Sequence, residues 1–360
     1  MLLTRKWPLK ALSLHSRRPG YLLGFHLCEA PAMSFELILP FLRPIEGLLL
    51  DDSISEIMGN PDSSWWCERD GKMHHEDAVT FDAAKLLTGL EVIANQLGKK
   101  LDEDNPSLHA QLPDGSRLAA WIPPIVRPSP ALAIRKFTSR RFTIDDLIQR
   151  GTISGALAEF LGEQIVNGKT LLISGGTGTG KTTLLRILAD FIPDCERIVV
   201  IEDTPELHIR KPNIVAAGSQ TNTFKSYVSF DDLLKDALRF RPDRIILGEV
   251  RGVEARTLLD SFNTGHSGSL ATIHANSAEK ALCRFANLVM RGHAQTTFSD
   301  TEAEIAEAVD FVVHVERQPG RRTVREVLRL NGYDRRTEQF RFEPVYGGET
   351  ASISAGFTHA

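Results

Sequence analysis

The chain has 360 residues, 42% hydrophobic and 24% charged, ordinary proportions for a globular protein of one large domain or two medium ones. Its formal net charge of −4 argues against a protein that mainly binds nucleic acid, where a basic balance is expected. No apolar run approaches the length of a membrane span, and the cysteines Cys28, Cys67, Cys195 and Cys283 lie far apart without a CxxC pair, which disfavours a disulfide framework or zinc ribbon and fits a reducing compartment.

Residues 1–34 carry Arg5, Lys6, Lys10, Arg17 and Arg18 and no acid before Glu29. Their apolar residues are interrupted by Ser, His, Arg and Gly, so a signal peptide is not indicated and a disordered basic extension is expected. Globular patterning begins at Met33, a candidate natural start. Over 81–101, Ala84, Leu87, Leu90, Ile93 and Leu97 recur at helical spacing. Strand-like pieces surround that helix, and Asp114-Gly115 between two of them is a hairpin signal. Residues 35–137 therefore read as a small α+β domain. It is expected to end near Pro123, Pro124, Pro128 and Pro130, as a stiff linker about which the two domains move. A second domain is expected over 138–345, and residues 346–360 read as a flexible tail.

The second domain carries the chemistry. KTLLIS, an apolar strand, runs into GGTGTGKTT and then into LLRILADFI, whose apolar face is Leu184, Ile187, Leu188 and Phe191. Strand, glycine loop and helix in that order form the context in which G-x-x-x-x-G-K-[ST] marks a phosphate site. The loop residues Gly175, Gly176, Thr177, Gly178, Thr179, Gly180, Lys181, Thr182 and Thr183 are the candidate nucleotide cradle. Glycines let backbone N–H groups turn inward around an anion, Lys181 supplies a charge for the β- and γ-phosphates, and Thr182 can offer its hydroxyl to Mg²⁺. Two later strands end in acids: RIVVIEDTPEL in Glu202 and Asp203, RPDRIILGEVRG in Glu249. In parallel α/β sheets ligands bind outside the carboxyl ends of the strands, so both acids should face the nucleotide. Glu202 is expected near the attacking water, and Glu249 nearer Mg²⁺ or a coordinated water. Where common P-loop enzymes end the second motif's strand in Asp, this chain has Gly248 followed by Glu249.

TGHSGSLATIHANSA holds two histidines, His266 and His274. A zinc site needs three or four ligands, and these two have no nearby cysteine and few acids. A satisfied core histidine and a ligand-facing one both remain open on the residues alone.

The segments ISGGTGTGKTT, VVIEDTPEL, RPDRIILGEVRG and TGHSGSLATIHANS, in that order and spacing, resemble the secretion ATPase family of type IV secretion, conjugation, type II secretion and pilus assembly. The wording of NTGH and ATIHANSAEKALCRF is most similar to the conjugal transfer ATPases of the TrbB type. No cysteine cluster of the type II kind is present. The resemblance covers roughly 35–340 and implies a RecA-like P-loop domain, α/β in class, with a smaller N-terminal α+β domain over its nucleotide face. It implies an ATP- and Mg²⁺-dependent ATPase acting as a homohexameric ring, peripheral at the cytoplasmic face of the inner membrane through secretion or pilus components, with no sequence-specific nucleic acid. It also implies a histidine of the 264–278 segment near the γ-phosphate as a sensor. Arg117 and Arg135 match the family's phosphate-clamping arginines, and Arg241, Arg251 and Arg256 are candidates for contacts between subunits. Lys181, Glu202, Glu249, His266 and His274 are thus the expected catalytic set, with Thr182 and Glu249 at the metal. The rival is a nucleic-acid-translocating motor of helicase or packaging type. It would want basic or aromatic stacking loops, and none is evident.

Overall fold

The computed structural model describes residues 35–69, 71–112, 114–137, 142–203, 206–218, 228–292, 296–318 and 321–347. The basic extension 1–34 and the tail beyond Gly347 lie outside the described residues. The remaining chain is a mixed α/β protein built on two sheets.

The first sheet and its helices occupy the N-terminal part. In chain order come α1 (Phe35–Leu42), α2 (Glu46–Leu50), β1 (Ile54–Gly59), β2 (Trp65–Arg69), β3 (Lys72–His75), α3 (Ala83–Gln96), β4 (Ser107–Gln111), β5 (Arg117–Trp121) and β6 (Ala131–Arg135). Helix α3 begins one residue before its apolar spacing starts at Ala84, because Asp82 caps it, accepting from the backbone of Ala84 and Lys85. The strands are antiparallel in the order β3-β2-β1-β6-β5-β4. β4 and β5 form the hairpin that Asp114-Gly115 signals, with Gly115 at φ 89° in the left-handed region. One face buries Ile57, Leu108, Leu118 and Ile134 against Leu86, Leu90 and Ile93 of α3.

The proline run is not the domain linker. It connects β5 to β6, and β6 lies mid-sheet, Ile134 facing Ile57 on one side and Leu118 on the other. Prolines lack an N–H and suit the loop, whereas the following ALAIR alternates, burying Leu132 and Ile134, and completes two ladders. The passage between domains falls instead at 136–143, of which 138–141 lie outside the described residues.

The second sheet contains α4 (Ile144–Gln149), α5 (Gly155–Val166), β7 (Leu171–Gly175), α6 (Lys181–Ala189), β8 (Ile198–Glu202), β9 (Ile214–Gly218), α7 (Phe230–Ala237), β10 (Arg244–Val250), α8 (Glu254–Asn263), β11 (Leu270–His274), α9 (Ala278–Gly292), α10 (Phe298–Ala308), β12 (Phe311–Gln318), β13 (Arg321–Asp334) and β14 (Gln339–Tyr346) among its strands and covering helices. The strand order is β14-β13-β12-β7-β11-β10-β8-β9. From β12 to β9 the pairings are parallel, and β13 and β14 add an antiparallel edge. Helices cover both faces, which is why β7 and β8 are buried at every position. Leu171, Ile173, Ile198 and Val200 pack towards α5 and α6, while Leu172, Val199, Ile201 and Leu247 pack towards α8 and α9. β7 stands near the middle of the sheet, so the loop at its carboxyl end is flanked by the ends of β11 and β12.

Candidate nucleotide site

The loop after β7 is shaped by glycines. Gly178 and Gly180 have φ of 69° and 94°, conformations that cost a side chain strain. Gly180 caps α6 without any side-chain hydrogen bond, so the N–H groups of the helix's first turn are left for a ligand. Thr182 and Thr183 lie half-buried in that turn. Thr179 Oγ1 donates to Gly176 O at 3.0 Å and fixes the loop's curvature. The loop opens onto two clefts, of about 680 and 570 Å³, both lined by Gly176 and Thr177.

Lys181 is buried and donates to Gly176 O at 2.7 Å, folded back on its own loop. Burial pushes its pKa down to about 8; the Glu249 carboxylate opposes the shift and the Arg135 charge adds to it. A nucleotide phosphate beside it would favour the charged form and raise that pKa again. Above pH 8, ATP binding is therefore expected to take up a proton, and affinity to fall as pH rises through 8 to 9. Calorimetric titration at pH 8.5 in two buffers of different ionisation enthalpy checks this; equal heats would contradict it.

Because β11 pairs in parallel with β7, His274 lies opposite Gly175. Its Nδ1 is 3.4 Å from Lys181 Nζ and its Nε2 is 3.5 Å from Glu249 Oε1. Burial and then the Lys181 charge hold His274 below the usual histidine range, so it is neutral at pH 7 and able both to donate and to accept. Glu249 sits where the β10–β11 register slips, between Leu247 and Val250, an irregularity that re-aims a side chain. The preceding Gly248 has a packing reason: a Cβ there would stand 3.1 Å from Glu202 Cβ. The aspartate found in common P-loop enzymes would crowd Glu202, which would have to give by a few tenths of an ångström.

Glu202 is differently employed. Its Oε2 accepts from the backbone N–H of Glu206 at 2.8 Å and of Leu207 at 3.0 Å, and burial raises its pKa. It thereby anchors the turn carrying Glu206. That carboxylate meets the N-terminal domain: Arg117 Nη1 is 3.1 Å and Arg135 Nη1 3.9 Å from Glu206 Oε1. The two arginines face each other across β5 and β6. They are thus brought to the rim of the site, where Arg135 influences Lys181, and both lean on an acid that sequence reasoning passed over. EDTPEL does place Glu206 one helical-turn spacing beyond Glu202, the only available signal.

The other predicted residues do not join this group. His266 precedes the amino end of β11, so the strand's length, about 13 Å at 3.3 Å per residue, separates it from the loop. Its ring contacts Ser261 O at 3.1 Å and its backbone N–H donates to the same oxygen at 3.3 Å, closing the end of α8. Both histidines lie in one segment, but β11 carries them to opposite ends of the strand. Arg241 is exposed before the amino end of β10. Arg256 is held by Asp260 at 2.6 Å and Glu304 at 2.7 Å. Arg251 is at the right end of the sheet, paired with Asp203 at 2.9 Å and stacked over Phe230. Among the described residues no group of three or more His, Cys, Asp and Glu could hold a metal, and no helix is long and apolar enough to cross a membrane.

A glycine cradle with a lysine at a central parallel strand, and an acid and a neutral histidine delivered beside it by neighbouring strands, define a RecA-like P-loop nucleotide-binding protein. The chain belongs to the type II/IV secretion system protein family, whose model matches residues 42–336. It is 38% identical to the conjugal transfer protein TrbB of Rhizobium radiobacter over 291 residues, 79% of this chain and 86% of that protein. It is 31% identical to the type IV secretion system protein VirB11 of Bartonella quintana, covering 87% of this chain and 96% of the relative. In fold it is similar to the ATPase DotB of Legionella pneumophila, with a TM-score of 0.58 at 18% identity over 79% of each chain.

The family's nucleotide chemistry implies Mg²⁺, and the donors fit. Mg²⁺ takes one or two protein oxygens and completes its shell with phosphate and water. The Thr182 hydroxyl in the first turn of α6 and the partly exposed Glu249 carboxylate at the end of β10 are hard oxygen donors of that kind.

Proposed function

We propose that this chain binds and hydrolyses ATP as the motor of a type IV secretion, conjugal transfer or pilus-assembly machine, working as a ring of six at the cytoplasmic face of the inner membrane. The observation that carries the reading is the convergence of Lys181, His274 and Glu249 on one loop mouth, with Arg117 and Arg135 at its rim. Family membership supports a secretion role over a helicase or packaging motor.

In this reading the loop amides and the α6 N-terminus hold the phosphates, and Lys181 leaves Gly176 O to contact the β- and γ-oxygens. Bound Mg²⁺, held by Thr182 and Glu249, would neutralise phosphate charge. Glu249 orients and deprotonates the attacking water, and neutral His274 spans Glu249 and the γ-phosphate, reporting its presence. Glu202 serves the site by fixing the 206–207 backbone. Arg117 and Arg135 exchange Glu206 for phosphate oxygens when nucleotide enters. Glu206→Gln is accordingly expected to tighten ATP binding up to about fivefold, the worth of a partly exposed ion pair. Weaker binding in that variant would mean that Glu206 positions the arginines instead of competing for them.

Ring working is tested by mixing. If Arg251 reaches a neighbour's nucleotide, Lys181→Ala and Arg251→Ala damage different partners of one interface. Co-expressed with different tags, the two inactive variants should recover part of the phosphate release. If Arg135 acts within its own subunit, Arg135→Ala mixed with Lys181→Ala recovers nothing. No recovery for either arginine, in rings shown to be mixed, would remove the shared site.

A further inference from the structure

Outside the expected site, two arginines converge on the phosphate loop from the β12–β13 hairpin. Arg317 and Arg322 are direct cross-strand partners, a placement in which like charges repel. Both turn to one acid of the other domain: Glu68 Oε1, on β2, is 2.8 Å from Arg317 Nη2 and 3.9 Å from Arg322 Nη2. Glu68 is buried, and a buried carboxylate is costly unless paired. Arg317 also donates to Gly71 O at 3.0 Å, beside the β2–β3 turn. On its other side the pair grips the loop. Arg322 Nε donates to Gly178 O at 2.9 Å, and a Cβ at Gly178 would stand 2.9 Å from Arg317 Nη1.

The contact has a directional consequence. In a planar trans peptide the C=O and the following N–H point opposite ways. Holding the Gly178 carbonyl towards Arg322 therefore aims the Thr179 N–H the other way, towards the inside of the loop. A loop change that turns this carbonyl on taking up a phosphate would pull on or break the Arg322 contact, and through the guanidiniums act on the Glu68 carboxylate.

We propose that Glu68, Arg317 and Arg322 form a relay that couples the conformation of the phosphate loop to the N-terminal domain. The three are positioning residues: they act through Gly178, whose carbonyl accepts from Arg322. The relay rests on the nucleotide reading above and adds to it the route by which occupancy reaches the small domain, a route separate from the chain connection at 136–143.

The test is amide hydrogen exchange of the full chain with and without Mg-ADP. In the unsubstituted chain, nucleotide should slow exchange both in the loop, 175–183, and in β2, 65–69. In Arg317→Ala and in Glu68→Gln, which keeps the side chain's size, loop protection should remain and β2 protection should be lost. Arg325→Ala, an exposed arginine on the same strand β13, should keep both. In Arg322→Ala, KM for ATP should rise by up to about tenfold with kcat little changed, because the free loop no longer holds its Gly178 carbonyl outward and binding must restore it; an unchanged KM would overturn the part of Arg322 in the relay. Nucleotide protection of β2 that persists in Arg317→Ala or Glu68→Gln would overturn the relay while leaving the P-loop reading intact. No loop protection in the unsubstituted chain would overturn the nucleotide reading and the relay with it.

Discussion

Glu249→Gln leaves ATP binding nearly unchanged and lowers phosphate release by about 10²- to 10⁴-fold, the usual contribution of a general base. The expectation rests on where the carboxylate stands. Glu249 is partly exposed at the mouth of the loop, 3.5 Å from the His274 ring, and its charge reaches Lys181. Glutamine keeps the shape and a metal-facing oxygen but cannot accept a proton from water. Glu202→Gln makes the contrast. The Glu202 carboxylate is buried with its Oε2 engaged by two backbone amides. An amide oxygen can retain those bonds in weaker form, so the variant is expected to lose about 1 kcal/mol of stability and to slow turnover less than Glu249→Gln. Phosphate release and ATP titration on the two purified variants measure the difference; equal rate losses would return the water to Glu202, and a near-normal rate in Glu249→Gln would remove it from Glu249.

Lys181→Ala is the second large effect. Removing one member of a desolvated, hydrogen-bonded charge pair costs about 2–5 kcal/mol, so ATP affinity should fall about 30- to 4,000-fold. The empty protein should not suffer in proportion. Without phosphate, Lys181 is a buried cation whose pKa is pushed down to about 8 and whose protein hydrogen bond is to Gly176 O, so its truncation relieves desolvation as well as losing a contact. Thermal unfolding of the variant within a few degrees of the unsubstituted chain, together with lost ATP binding by titration, is the expected pair of results. Unchanged ATP affinity would contradict the phosphate role of the loop.

The parts of the site that were legible in the sequence are the local ones. The P-loop carries its own strand and helix, so Gly175 to Thr183 could be placed from spacing alone, and β-branched runs ending in Glu202 and Glu249 marked the carboxyl ends of parallel strands. Two readings failed because they needed tertiary position. The prolines of 123–130 punctuate the chain as strongly inside a sheet connection as between domains, and only the pairing of β6 with β1 and β5 distinguishes the cases. His266 and His274 look equivalent along the sequence, yet the strand between them sends one to the end of α8 and the other to Lys181. Glu206, marked only by its spacing from Glu202, and the unmarked Glu68–Arg317–Arg322 group were hard to find for another reason. Their partners are remote, Glu68 and Arg317 being 249 residues apart, and a lone charged residue in a sequence carries no mark of the partner that will face it.

Phosphate release from the purified full chain with Mg-ATP, with and without single- or double-stranded DNA, separates an ATPase of secretion type from a nucleic-acid motor. Release should be steady, unchanged by either DNA within a factor of about two, and lowered about 10²- to 10⁴-fold by Glu249→Gln. No release, or release that appears only when DNA is added, would contradict it.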